Sequence, residues 1–187
     1  HCNKSPLLNH KGETIGVLTT AVDITARKFA EEHRTHLALH DMLTGLPNRV
    51  LLAENVKTTI ENCRKRNSEA ALLLLDLDRF KVINDTRGHH SGDALLREVA
   101  NRISKVIGPE DFAARIGGDE FAIIFNRFEN IDSINSRCSK ILKAINEPYA
   151  ISGVGQIISA SIGVSLIPGD GDEYEEVLRM ADLAMYD

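Results

Sequence analysis

Residues 70–81 read Ala70-Ala71-Leu72-Leu73-Leu74-Leu75-Asp76-Leu77-Asp78-Arg79-Phe80-Lys81. An unbroken apolar run of strand length that ends on acids suits a central strand buried on both faces. Beyond the run, Phe80–Asp85 predicts a short helix. Ser91 caps a longer one, with Leu95, Leu96, Val99, Ile103 and Val106 at helical spacing and Gly108 at its stop. Phe112–Ile116 and Glu120–Phe125 predict two short strands joined through Gly117-Gly118, a hairpin signal. Ile131–Ile145 predicts an amphipathic helix, Gln156–Ile167 a strand and Glu173–Tyr186 a last helix. The order is βαββαβ. The expected fold class is therefore α+β, an antiparallel central sheet with a ferredoxin-like core and helices on one face.

Upstream, Leu43-Thr44-Gly45-Leu46-Pro47-Asn48 reads as a loop, and Asn48 caps a helix running to about Arg66. Residues 26–40 predict a charged connecting helix, with Asp23 or Thr25 as its cap. Ile24, Phe29, His33 and Leu37 form a weak seam on it, too short for a coiled coil. Residues 13–22 predict one strand, preceded by a turn at Asn9-His10-Lys11-Gly12.

The 187 residues carry 22 basic and 27 acidic side chains, a net charge of −5, with 43% hydrophobic residues. That is a globular composition. The acidic balance argues against a general nucleic-acid binder, which carries a basic surface. No run approaches the roughly 18 apolar residues of a membrane span, so no membrane contact is expected within this segment. The start has no apolar signal region and no initiator Met, so a piece of a longer protein is expected. Cys2, Cys63 and Cys138 form no CxxC pair, which fits reduced thiols and a cytoplasmic location. His33, His36 and His40 share a helical spacing but lack supporting ligands, and Pro168–Glu173 lacks the glycine of a calcium loop.

Two segments carry chemistry: Asp76–Lys81 at the end of the buried strand, and Gly117-Gly118-Asp119-Glu120-Phe121 at the hairpin. In a βαββαβ sheet the first strand lies centrally and pairs with the third. Asp76 and Asp119 are therefore expected to converge at one edge. Two carboxylates and a nearby backbone carbonyl suit Mg²⁺, which takes few protein ligands and keeps room for substrate phosphates. Glycines let a phosphate approach the backbone, and with a nearby Lys the set fits phosphoryl or nucleotidyl transfer. Each piece alone has a plain structural reading: Gly-Gly-Asp is a common turn, and an acid ending a strand a common cap. Asp78 is read as the cap of the following helix, not as a metal ligand.

These residues resemble the GGDEF-domain diguanylate cyclases, whose signature Gly117–Phe121 spells. His40–Arg49, Asp76–Asp85, Gly88-His89, Gly92-Asp93, Ala160–Val164 and Ala181–Tyr186 are similar to the family's other segments, so the likeness covers residues 40–187. It implies the nucleotidyl-cyclase and polymerase-palm variant of the ferredoxin-like core. It also implies condensation of two GTP into cyclic di-GMP and two pyrophosphates. Carried over, Asp76 and Asp119 would bind Mg²⁺ (or Mn²⁺) through their carboxylates and Leu77 through its carbonyl. Asp119, Lys81 and Glu120 would be catalytic, Asp119 as the base for the 3′-hydroxyl and Lys81 against the separating phosphates. Asn84 and Asp93 would read guanine, with His89, Phe80, Gly117 and Gly118 also at the nucleotide. Each protomer would hold one GTP, so a homodimer is expected.

Residues 1–24 resemble the end of a PAS sensor domain, which would make 25–40 the connecting helix and 41–187 the GGDEF domain, cut before a phosphate-contacting Lys of the family. An upstream sensor domain, and a phosphodiesterase domain downstream, would belong to the parent protein. One departure concerns the family's Arg-x-x-Asp product site. Asp111 is present but Gly108 replaces the Arg, so weak product inhibition is expected. The competing functions are a catalytically silent GTP-binding regulatory module and a purely structural dimerisation module.

Overall fold

The computed structural model describes residues 2–21, 23–151 and 154–186. Val22, at the end of the predicted first strand, and Asp187 lie outside the described residues. The chain divides into two compact units, residues 1–38 and 39–187.

The first unit is a hairpin followed by a helix. Strands β1 (Cys2–Leu8) and β2 (Thr14–Ala21) pair antiparallel. The sequence pattern predicts only the second, because Pro6 and the polar residues before it hide the first. Asn9 shapes the turn by accepting the N–H groups of Lys11 and Glu13 at 2.8 and 3.0 Å. Helix α1 (Thr25–Leu39) begins where the Asp23 carboxylate accepts the Thr25 N–H at 2.9 Å. Phe29, His33 and Leu37 are all exposed on it.

The second unit opens with α2 (Arg49–Arg66), capped as predicted by Asn48, which accepts the Val50 and Leu51 N–H groups at 2.9 and 3.2 Å. Then follow β3 (Ala70–Leu77), α3 (Phe80–Arg87), α4 (His89–Val106), β4 (Phe112–Gly117), β5 (Glu120–Phe125) and α5 (Ile131–Asn146). A short antiparallel pair, β6 (Tyr149–Ile151) and β7 (Val154–Gln156), precedes β8 (Ala160–Ile167) and α6 (Tyr174–Tyr186). The main sheet runs β4-β5-β3-β8, with every pair antiparallel.

Helices cover both faces of this sheet, not one as expected. Ala71, Leu73, Leu75 and Leu77 of β3 face a core shared with α3, α4 and α5. Ala70, Leu72 and Leu74 face a second core with α2 and α6. The cause lies in β3 itself: side chains alternate across a strand, so an apolar residue at every position from Ala70 to Leu75 demands cover on both sides. On the second face α6 packs backbone to backbone on β8. A Cβ at Gly163 would stand 1.9 Å from the Ala181 carbonyl oxygen.

Three further expectations shift. Helix α4 starts at His89, directly after Gly88, and the Ser91 hydroxyl donates back to the Arg87 carbonyl at 3.0 Å instead of capping. The helix ends at Val106, and the Gly108 N–H donates to the Asp111 carboxylate at 2.7 Å. The predicted strand 156–167 breaks at residues 157–159, so that its start pairs in the β6–β7 hairpin. Among the described residues no helix is long and apolar enough to cross a membrane.

Candidate active site

The site lies at the end of β3. Antiparallel register sets Asp76 opposite Glu120 of β5 on one side and Ser161 of β8 on the other. The β4–β5 turn brings Asp119 to the same edge. The convergence expected from topology is felt electrostatically. Burial, then the charges of Asp119, Glu120 and Asp78, push the Asp76 carboxyl up to about 6. Among the described residues no three His, Cys, Asp or Glu side chains close into a ready-made metal cage. Two carboxylates and a carbonyl, open to further oxygen donors, nevertheless fit Mg²⁺, which rarely takes an all-protein cage. Mutually repelling acids held at one edge are the donor set that such a hard cation relieves.

The turn itself is glycine-dependent. Gly117 and Gly118 have φ of 156° and 56°, and both are exposed. Arg115, which no motif in the sequence marks, holds the turn. Its Nε and Nη2 donate to the Gly118 carbonyl at 3.2 and 2.7 Å. Its Nη1 donates to both Asp41 oxygens at 2.9 and 3.0 Å. Asp41 in turn accepts the Thr44 N–H and hydroxyl at 2.9 and 2.6 Å. Burial pushes the Asp41 carboxyl up, but the bonds from Thr44 and Arg115 outweigh it, and its pKa lies below the ordinary value. The loop at 41–47 and the signature turn are thus one hydrogen-bonded body.

The nucleotide-facing candidates sit on α3 and α4. Lys81 is exposed on the first turn of α3, and His89 is exposed at the start of α4. Phe80 is buried in the core. Asn84 packs directly against α4: a Cβ on Gly92 would stand 2.0 Å from its Oδ1 and 3.1 Å from the Phe80 ring. Asn84 is thereby brought beside the residue preceding Asp93, and both side chains are half-buried.

Asp78 corrects the cap reading. The residue before α3 is Arg79, with no side-chain cap bond. The Asp78 carboxylate instead accepts the hydroxyls of Ser159 and Ser161 at 2.5 and 2.9 Å.

The family model described as "Diguanylate cyclase, GGDEF domain" matches residues 38–187. The chain belongs to the GGDEF family. Over 167 residues it is 44% identical to MucR of Pseudomonas aeruginosa, named a bifunctional diguanylate cyclase and cyclic di-GMP phosphodiesterase; the match covers 89% of this chain and 24% of MucR. It is 41% identical to NbdA of the same organism, named a cyclic di-GMP phosphodiesterase, over 80% of this chain and 19% of NbdA. The chain thus spans about a quarter or less of the length of these two relatives. Among solved structures, the coiled coil and GGDEF domain of DgcB from Caulobacter crescentus, in complex with c-di-GMP, superposes with a TM-score of 0.76. That match is 31% identical and covers 86% of this chain and 85% of DgcB's.

Within the GGDEF domain the stretch before β4 differs from the product-site pattern in a further way. Asp111 forms an ion pair with Arg137 of α5, whose guanidinium lies 3.5 Å from the centre of the Phe125 ring. The Asp111 side chain is only 5% exposed. A cavity of about 1230 Å³ opens at the opposite end of the sheet, lined by Asn126, Glu69 and Pro168 among others. Its lining includes three arginines, Arg64, Arg66 and Arg127, and three glutamates, Glu69, Glu110 and Glu129, with Arg127 paired to Glu110 and Arg64 to Asp172, and it holds none of the candidate residues.

Proposed function

We propose that this chain is the synthetic unit of a diguanylate cyclase that condenses two GTP into cyclic di-GMP and two pyrophosphates across a homodimer. The observation that carries the reading is the gathering of Asp76, Asp119 and Glu120 at one sheet edge, beside an open glycine turn. Packing alone does not call for mutually repelling, half-buried acids. Asp76, Asp119 and the Leu77 carbonyl would hold Mg²⁺ or Mn²⁺, with Glu120 adding negative charge opposite Asp76. When bound, the ion would neutralise phosphate charge and make the attacking hydroxyl more acidic.

In each half-reaction the 3′-hydroxyl oxygen of one GTP bonds to the α-phosphorus of the other. The α–β bridge breaks, and pyrophosphate leaves. The Asp119 carboxylate takes the hydroxyl proton. Lys81 offsets charge on the separating phosphates. Gly117 and Gly118 admit the phosphate chain to the backbone. Asn84 and Asp93 read guanine, since a carboxylate accepts from N1–H and N2–H₂ together, and a site built on such bonds rejects a base that lacks them. His89 stands at the nucleotide's edge.

Gly92→Ala displaces Asn84 and is expected to weaken GTP binding about tenfold, or about 1.4 kcal/mol. Titration of a non-hydrolysable GTP analogue against wild type checks this; equal affinities contradict it. Added cyclic di-GMP is expected to lower the initial rate only weakly or not at all. Gly108 offers no guanidinium fork, and the Arg137 guanidinium is engaged by Asp111. A dose-response showing strong inhibition contradicts this.

The second reading is a GTP-binding module that regulates an attached phosphodiesterase, favoured by the 41% identity to NbdA. Incubation with GTP and Mg²⁺, followed in parallel for bound nucleotide and released pyrophosphate, separates the two. The regulatory reading requires binding without release; the cyclase reading requires both. Sensor and output domains, a PAS-like segment before residue 25 and a cytoplasmic setting remain part of this proposal for the whole protein.

A further inference from the structure

The turn from β3 into α3 carries the Leu77 carbonyl and, four residues on, Lys81. It is conformationally costly. Arg79 sits at φ 58°, in the left-handed region, without being glycine. Such a residue costs about 1–3 kcal/mol and persists where its surroundings hold it. Contacts to the start of β8 hold it. The Asp78 N–H donates to the Ser159 carbonyl at 2.9 Å. The Asp78 carboxylate accepts from both Ser159 and Ser161, one hydroxyl on each oxygen. Leu77 pairs with Ala160 between them.

We propose that Asp78, Ser159 and Ser161 form a positioning clamp that fastens the β3–α3 turn to the start of β8 and so fixes the Leu77 carbonyl toward the cation. The inference rests on the cyclase reading of the site. Asp78 acts through the backbone it holds, not as a ligand. Both carboxylate oxygens are occupied by hydroxyl donors, whereas Asp76 accepts no side-chain donor among the described hydrogen bonds and bears the charge of its neighbours. Ser159, the last residue of the break at 157–159, and Ser161, the second residue of β8, bring their two hydroxyls to one carboxylate. Groups that orient a metal ligand without touching the metal alter affinity about 10–100-fold when removed.

The test uses Mn²⁺ as the spin-active probe, titrated with a non-hydrolysable GTP analogue and followed by electron paramagnetic resonance. Three proteins are compared with wild type: Asp78→Asn, the double variant Ser159→Ala with Ser161→Ala, and Ser161→Thr. The clamp predicts that Asp78→Asn and the double serine variant weaken Mn²⁺ binding by similar factors, about tenfold, while Ser161→Thr, which keeps its hydroxyl, binds as wild type does. If Asp78 were itself a ligand, Asp78→Asn alone would weaken binding and the serine pair would not, which overturns the clamp. Should the double variant fail to melt cooperatively, Ser161→Ala alone, which leaves the Ser159 bond in place, must still give a measurable loss. Wild-type affinity retained there overturns the proposal. Wild type that binds no Mn²⁺ overturns the cyclase reading and the clamp with it. Wild type that binds and variants that bind equally overturn only the clamp.

Discussion

Asp76→Asn is expected to reduce cyclic di-GMP synthesis about a thousandfold while making the metal-free protein more stable above pH 6. Both effects have one origin. Asp76 is held at the sheet edge against Asp119, Glu120 and Asp78, and burial with these charges pushes its carboxyl up to about 6. Its ordinary value is 3.8, so between those pH values the folded state binds the proton more tightly than the unfolded chain. Stability from this group is therefore complete below pH 3.8 and is lost as pH rises through 6. Asparagine keeps the shape and cannot ionise. Its melting advantage should be absent at pH 3.5, grow between pH 4 and 6, and level off above. Parallel melting curves without divalent cation check the sign. A variant less stable than wild type at pH 8 contradicts the account, because Asp76 would then be a net structural contributor. Loss of activity with a gain in stability is the mark of a residue held in place for chemistry.

The second large effect concerns Arg115. Arg115→Ala is expected to cost about 3 kcal/mol, lowering the melting midpoint by about 6–12 °C, and to cut synthesis at least about tenfold. The Arg115 and Asp41 side chains are only 11% and 24% exposed, so deleting the guanidinium leaves a half-buried carboxylate and the Gly118 carbonyl without their donor. The activity loss has a separate cause. Gly118 immediately precedes Asp119, and Arg115 is what fastens that turn to the loop at 41–47. Arg115→Lys should recover little of either effect, since one ammonium cannot reproduce a fork that grips two Asp41 oxygens and a carbonyl at once. Full activity in Arg115→Lys contradicts the positioning role.

The central strand was legible because an all-apolar run has few places to go. The same run also demands helices on both faces, because alternation along the strand sends apolar side chains to each, and the expectation of one covered face does not hold. The carboxylate convergence was legible too, since βαββαβ connectivity pairs the first strand with the third. What stayed hidden was long-range and polar. Arg115 and Asp41 are 74 residues apart, and Ser159 and Asp78 81 apart; no local periodicity marks such partners. Asp78 looked like a helix cap because an acid before a helix commonly is one. Its carboxylate was already bound across the sheet.

The most direct measurement is mass-resolved product analysis of the chain incubated with GTP and Mg²⁺, beside Asp119→Ala. The account predicts cyclic di-GMP and pyrophosphate from the wild type and neither from the variant. Cyclic di-GMP from both proteins would remove Asp119 from the chemistry. GTP bound and recovered intact from a dimeric wild type would contradict the cyclase assignment itself.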